Sequence, residues 1–365
     1  MNQRRLGVSV YPDHSDLKQD QNYLEKASSL GFTRIFMSML EINGDSKAVV
    51  DKYKSIIGFA KDLNYEIILD VSPAIFDTLK ISYDDLQFFK DLGADGIRLD
   101  NGFDGAKEAL LTFNPQNLII EINMSNDVAY LNNILSYEAN IPFLYGCHNF
   151  YPQKGTGLPS SFFEKCGRRF KSQNIHTAAF ISSSVGQIGP WDVNDGLPTL
   201  EFDRELPLDI QAKHLFATGL IDDVIIGNAY ASKAELEKLS NIDRYQVEFT
   251  IETTENNNRV ENQILFDNQH VRRGDINEMT IRSTQVRKKY EAEKNLPHDH
   301  NQTFERGDVV IGNDTFGKYK NELQVILEPH ADPRKNKVGR IIEDELFLLD
   351  FIRPWSKFKF VNLND

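Results

Sequence analysis

The chain has 365 residues, of which 40% are hydrophobic, 26% charged and 11% aromatic, the composition of a soluble globular protein. That length exceeds what one hydrophobic core usually serves, so a large domain followed by a smaller one is expected. The formal net charge of -13 argues against a nucleic-acid backbone as the main partner but leaves room for a local arginine pocket that binds an anionic small molecule.

Through residue 240, apolar runs alternate with helical patterns. Candidate strands fall at 6–11, 33–38, 66–71, 96–100, 118–123, 142–147, 177–182 and 223–227, and helical patterns at 16–30, 46–63, 82–92 and 207–219 lie between them. Leu30-Gly31, Leu92-Gly93 and Thr218-Gly219 read as helix ends. Strand–helix alternation with short connections implies parallel strands and right-handed crossovers, and eight such units predict a (β/α)8 barrel over residues 1–240. A doubly wound open sheet is the alternative, but it would more often carry a glycine-rich turn after the first strand, where this chain has "YPDHSD".

After Ser240 the texture changes. The segments "YQVEFTIET", "QILFDN", "NEMTIRST", "GDVVIGND", "ELQVILEP" and "LFLLDFIRP" are short alternating runs split by turn residues, which predicts an antiparallel β domain over 241–365. The charged stretch "VRKKYEAEKN" reads as a solvated surface segment.

No apolar run approaches the roughly 20 residues of a membrane span, and the first residues show no apolar signal region, so a cytoplasmic protein without a membrane partner is expected. Cys147 and Cys166 fit a reducing compartment as buried thiols. Zinc-ligand spacing, a Walker loop and a GxSxG elbow are all missing, and no cofactor or metal is expected.

Barrel chemistry sits at the C-terminal ends of strands. The ends of strands three, four and five carry Asp70/Ser72, Arg98/Asp100 and Glu121/Asn123, each pair at spacing two and therefore on one side of its strand. Glu41 lies just past strand two. Carboxylates crowded from adjacent strands push their pKa values apart, leaving one acid and one base, as glycoside hydrolysis requires. The structural alternative is a network in which Arg98 only neutralises the acids. Strand six runs into "CHNFYPQKGTGLPSSF", where His148, Asn149 and Tyr151 offer polar and aromatic contacts to a sugar, or simply order the loop. In the long loop after strand seven, Trp191 reads as a stacking platform or a lid anchor, and Arg204 as an anion ligand or a salt bridge. The small residues of "SSSVGQ" and "GNAYAS", among them Ser183, Gly186, Gly227 and Asn228, suit phosphate binding through backbone amides. His14 and His176 read as turn or core residues.

The ordered set "RLDNGF", "EINMSN", "CHNFYPQKGTGL", "GLPTLEFDR" and "DDVIIGNAYAS", continued by "MTIRSTQVR", "GDVVIGND", "GKYKNELQVIL" and "VGRI", resembles the bacterial 6-phospho-N-acetylmuramidases over nearly the whole chain. The resemblance implies a TIM-type barrel followed by a cyclophilin-like domain. It also implies a cytoplasmic glycosidase of peptidoglycan recycling that cuts 6-phospho-MurNAc-GlcNAc into 6-phospho-MurNAc and GlcNAc. On the strand-end argument, Asp100 and Glu121 are the expected carboxylate pair, with Asp70 as a third acid that tunes them or orients the acetamido group. Arg98, Arg204 and Arg282 are the expected anion ligands, and Asn123, His148, Asn149, Tyr151, Ser183, Trp191 and Asn228 complete the substrate contacts. The β domain is expected to pack at the barrel mouth. A homo-oligomer is left open. Two other classes compete: a barrel lyase, aldolase or isomerase on a sugar phosphate, and a non-catalytic sugar-phosphate sensor. The first would more naturally carry a lysine or a metal cluster at strand ends, and none of the eight predicted strands ends in lysine.

Overall fold

The computed structural model describes residues 3–40, 46–298 and 303–364, so Glu41 lies outside the described residues. Eight parallel strands close into a barrel in chain order: β1 (Arg5–Val10), β2 (Arg34–Met39), β3 (Glu66–Val71), β4 (Gly96–Leu99), β5 (Ile119–Asn123), β6 (Leu144–Cys147), β7 (His176–Ile181) and β8 (Asp223–Ile226). β8 returns to pair with β1, Arg5 opposite Asp223 and Gly7 opposite Ile225, which rules out the open doubly wound sheet. Each predicted strand lies within two residues of an observed one.

Local chemistry sets the intervening helices. Leu17–Ser29 begins where Asp16 accepts from the amides of Lys18 and Gln19 at 3.0 and 3.2 Å, and it ends before Gly31, whose φ of +81° suits glycine. Of the helix expected at 82–92, only Gln87–Leu92 forms, while a short helix absent from the sequence reading, Pro73–Leu79, starts directly after β3 with proline in its first turn. No helix among the described residues is long and apolar enough to cross a membrane.

The strands are buried on both faces, for different reasons. Outward residues such as Leu6, Val8 and Val10 share one core with helix residues Tyr23 and Leu24. Inward, Tyr11, Phe36, Cys147, Phe180 and Ile225 form a second core inside the barrel. Each large apolar side chain so buried contributes about 1.5–3 kcal/mol before entropy is counted. The inward residues nearer the strand starts are charged: Arg5 pairs with Asp223 at 2.7 Å and Glu66 at 2.8 Å, Arg34 pairs with Glu66 at 3.2 Å, and His176 Nε2 lies 2.8 Å from Asp223. Although burial opposes it, His176 and Arg5 hold the Asp223 carboxyl below the usual carboxylate range. Gly7 leaves room for this layer, since a Cβ there would sit 3.0 Å from the Cβ of Arg34.

The chain forms two compact units, Met1–Ile242 and Asp243–Asp365. The second holds a seven-stranded sheet built from β9 (Val247–Thr253), β10 (His270–Val271), β11 (Thr280–Ser283), β12 (Asp308–Gly312), β13 (Leu323–Ile326), β14 (Lys335–Ile341) and β15 (Lys357–Asn362), in the order β10-β15-β9-β14-β12-β13-β11. It is mostly antiparallel, with β9 and β15 parallel. Two predicted strands are not strands. "QILFDN" ends the helix Arg259–Phe266, because Asn258 caps the amides of Val260 and Glu261 while Glu261 returns to the Asn258 amide. "LFLLDFIRP" lies largely in a 3-10 segment, Glu343–Phe351, whose consecutive buried residues Leu348 and Leu349 do not alternate. Three strands escaped the sequence reading: the two-residue β10, too short to show a period, and β14 and β15, because lysines interrupt their apolar residues. In β15 those lysines lie on the opposite face from buried Phe358 and Phe360. The "VRKKYEAEKN" stretch is partly anchored, with Val286 and Tyr290 buried.

Candidate active site

Parity carries three sequence-predicted residues into the barrel interior. Asp70 lies opposite Arg98 across β3 and β4, and Arg98 lies opposite Glu121 across β4 and β5. Arg98 Nη1 donates to Asp70 Oδ1 at 2.6 Å, and its Nη2 donates to Asn149 Oδ1. The same Nη1 lies 3.8 Å from Asp100 Oδ1. The sequence therefore brings Asp70, Arg98, Asp100 and Asn149 to one place at the strand ends. Asp70 is 3% exposed, whereas the Asp100 side chain is 40% exposed. Burial pushes the Asp70 carboxyl up to about 6 against the pull of Arg98, and the charges of Asp100 and Glu121 add to the rise.

Glu121 faces a different partner. It is 0% exposed, and its Oε2 accepts from Arg34 Nη2 at 2.5 Å, while its Oε1 has no hydrogen-bond partner among the described residues. Arg34 belongs to the charged layer and was absent from the sequence-predicted set. The available signal was its parity with Ser38 in "RIFMSM", a strand that is otherwise almost wholly apolar.

The remaining predicted residues scatter. Asn123 Oδ1 accepts from the Ser125 amide at 2.8 Å, which turns the chain after β5. His148 is fully buried, stacked on Phe163 with ring centroids 4.6 Å apart, and Ser125 Oγ lies 3.0 Å from its Nδ1. Burial pushes its imidazole down to about 3. The Tyr151 backbone is tied to the loop after β7: its amide donates to Pro198, and its carbonyl accepts from Arg204 at 3.0 Å. Arg204 also donates to the carbonyls of Asp195 and Gly196 and makes a two-pronged pair with Glu201 at 2.9 and 2.7 Å. Every nitrogen of that guanidinium is engaged within the loop. Arg282 lies in the second unit, two-pronged on Glu322.

The amides foreseen for phosphate are donated inside the protein. Asn228 Oδ1 accepts from the Ser183 amide at 2.8 Å, and Asn228 Nδ2 donates to the carbonyls of Ser183 and Gly186, both at 2.9 Å. The Glu235 carboxylate accepts from the amides of Ser184 (2.9 Å) and Ser232 (2.7 Å) and from the hydroxyls of Ser183 and Ser232, both at 2.9 Å. Glu235 thus ties the loop after β7 to the one after β8. Its reading was available in the sequence as the S-x-x-E capping box of Ser232 and Glu235.

A cavity of about 370 Å³, in the size range of small-ligand sites, opens over the ends of β1 and β2, and none of Asp70, Arg98, Asp100 and Glu121 is among its wall residues. Its walls include Tyr11, Asp13, His14, Ser38, Lys52, Tyr53 and Trp191. One wall residue, Ser38, is the register neighbour of Asp70 on β3. Tyr11 is pinned by donating its hydroxyl to the Gly227 carbonyl, and Tyr53 donates to Asp13 at 2.9 Å. Trp191 stands half-exposed at the rim, its ring 5.9 Å from that of Phe150. Of these, Trp191 alone was among the expected substrate contacts, and His14 had read as a turn or core residue. The arrangement supplies a buried carboxyl raised to about 6 and a second carboxyl open to solvent, with an aromatic-walled cavity one strand away, on the far side of Ser38.

Comparison with known proteins agrees over both units. Models of the N-terminal and C-terminal parts of 6-phospho-N-acetylmuramidase match residues 6–241 and 247–361. Among solved structures, an uncharacterized B. cereus protein is 54% identical, with a TM-score of 0.92 over 98% of this chain and 99% of that one. A conserved protein of unknown function from Enterococcus faecalis is 25% identical, with a TM-score of 0.71 over 98% of this chain and 96% of that one. No functionally curated protein matches.

Proposed function

The chain belongs to the 6-phospho-N-acetylmuramidase family, and we propose that it hydrolyses the phosphorylated disaccharide 6-phospho-MurNAc-GlcNAc to 6-phospho-MurNAc and GlcNAc, in the cytoplasm, as a step of peptidoglycan recycling. The observation that carries the reading is Asp70, a buried carboxyl raised to about 6 and held at 2.6 Å by Arg98, which also lies 3.8 Å from the solvent-open Asp100.

Glycosidic cleavage needs a proton on the leaving oxygen, and a carboxyl that titrates near neutrality is a good donor. We assign that proton to Asp70. Asp100, already exposed, steadies the positive charge that develops at the anomeric carbon, activates water, or orients the acetamido group if the substrate's own oxygen attacks. Glu121, paired with Arg34, acts through its charge by keeping the Asp70 proton bound. Arg98 and Asn149 hold Asp70 in place. Trp191 offers a face to a sugar ring, and Lys52 and His14 stand on the same cavity wall.

The test is incubation with the phosphorylated and unphosphorylated disaccharides, followed by measurement of free GlcNAc. Release from the phosphorylated form alone supports the reading. Tight binding without cleavage would favour a sugar-phosphate sensor, and conversion without GlcNAc release a lyase or isomerase.

A further inference from the structure

The second unit carries a group of cations that nothing in the barrel chemistry uses. Arg282, on β11, grips Glu322 with Nε at 2.7 Å and Nη2 at 3.2 Å, and Arg287 Nη1 reaches the same carboxylate at 2.5 Å. Glu322 is fully buried and also accepts from Gln324 at 3.1 Å. One two-pronged arginine is enough to pair a carboxylate, so the second guanidinium is in excess. Both lie over one ring, Tyr319, at 5.5 and 5.1 Å from its centroid, and Tyr319 is 5.5 Å from Phe316, which carries Arg334 at 4.5 Å.

Lys335, buried at the start of β14, has its ammonium 3.1 Å from His330 Nε2 and 3.8 Å from Asp332. Burial lowers its pKa; Asp332 and Glu322 resist that, while Arg334 and Arg282 add to it, which places Lys335 in the field of the same group. Asp332 is itself taken by Arg334 at 2.8 and 3.0 Å. Four cations thus face two carboxylates, a local charge of plus two in a chain of net charge -13. Nearby Arg273 and Asp275 cancel, as do Lys320 and Asp314, and Lys318 adds a further positive charge by Tyr319. The aromatic shelf is fixed in place: a Cβ on Gly312 would lie 2.4 Å from the Tyr319 carbonyl and 2.8 Å from Phe316, so glycine lets this turn close onto β12.

We propose that this cluster is an anion site of the second unit that takes a phosphate monoester. A carboxylate carries one charge and would leave most of that excess unmatched once Lys318 is counted, whereas a monoester carries about -1.5 to -2 at neutral pH and offers several acceptor oxygens to guanidinium forks. All the residues named belong to the second unit, so an inactive disaccharide assay leaves binding here unaltered.

Calorimetry on the full chain tests it, with inorganic phosphate and a hexose 6-phosphate as ligands and GlcNAc as the uncharged control. Wild type should bind both phosphates, and Arg287→Gln with Lys335→Gln should weaken them at least tenfold, while Arg287→Lys retains most of the affinity. Should the double variant lose its fold, tungstate soaked into wild-type crystals and located by anomalous scattering should sit on Arg282 and Arg287. Unchanged affinity in a folded double variant, binding no tighter than that of chloride, or tungstate found only elsewhere would each overturn the site.

Discussion

Arg98 and Asp70 stand side by side on neighbouring strands, 2.6 Å apart, and both are almost closed to solvent. A buried carboxylate facing a buried guanidinium would ordinarily stay ionised well below its usual range. Here burial and two further carboxylates outweigh the arginine, and the Asp70 proton is held to about 6.

The rate should follow that proton. If the protonated form of Asp70 is the donor, kcat/KM falls as pH rises through about 6, giving an alkaline limb set by this carboxyl. Asp70→Asn should lose that limb along with roughly 10²–10⁴-fold of the rate. A pH–rate profile checks both, with circular dichroism to show that the variant is folded.

Asp100 and Glu121 should separate cleanly. Asp100→Asn changes a partly exposed side chain, so stability should shift by no more than about 0.5 kcal/mol while turnover drops by orders of magnitude. Glu121→Gln removes the charge that Arg34 Nη2 meets in the barrel interior, leaving Arg34 with Glu66 and Asp223, and should cost about 1–3 kcal/mol of stability. Urea unfolding and turnover per folded molecule, measured together, distinguish them. Near-normal turnover in Asp100→Asn would remove it from the mechanism.

Arg204 should behave as a structural clamp. Arg204→Ala frees three carbonyls and Glu201, and we expect a loss of about 2–4 kcal/mol with KM for the unphosphorylated and phosphorylated sugars shifted alike. A selective rise in KM for the phosphorylated substrate would make it an anion ligand instead.

Acid should weaken both units through their buried histidines. Burial holds His148 at about 3 and His270 at about 4, below an unfolded value near 6.5. Between those values the unfolded chain binds more protons than the folded one, so stability is present above about 6.5 and is lost as pH falls, by up to about 1.4 kcal/mol per pH unit for each histidine. His148→Gln should flatten its share of the slope in denaturant unfolding measured at pH 4.5 to 7.

Much of this protein could be read along the chain. Period-two and helical patterns with glycine stops located every barrel strand within two residues, because a parallel strand buried on both faces is a nearly unbroken apolar run. Parity alone put Asp70, Arg98 and Glu121 on inward faces. The lysine-broken strands β14 and β15 were lost: lysines alternate with Phe358 and Phe360 in β15, and in β14 the buried run opens on Lys335 and Asn336, so burial there does not follow an apolar period.

What the chain could not decide was which partner each charge meets. Asp70 and Glu121 look alike in sequence, an acid inside a strand, yet one meets Arg98 and the other Arg34, and only the closure of the barrel brings β2 and β5 across the interior to make that second pair. Arg204 and the serine amides looked free for an anion until folding gave them Glu201, three carbonyls and Glu235. Strand position follows from local pattern, which the sequence carries in full. Proton affinity and availability follow from desolvation and from neighbours far apart in the chain, and those exist only once the barrel is closed.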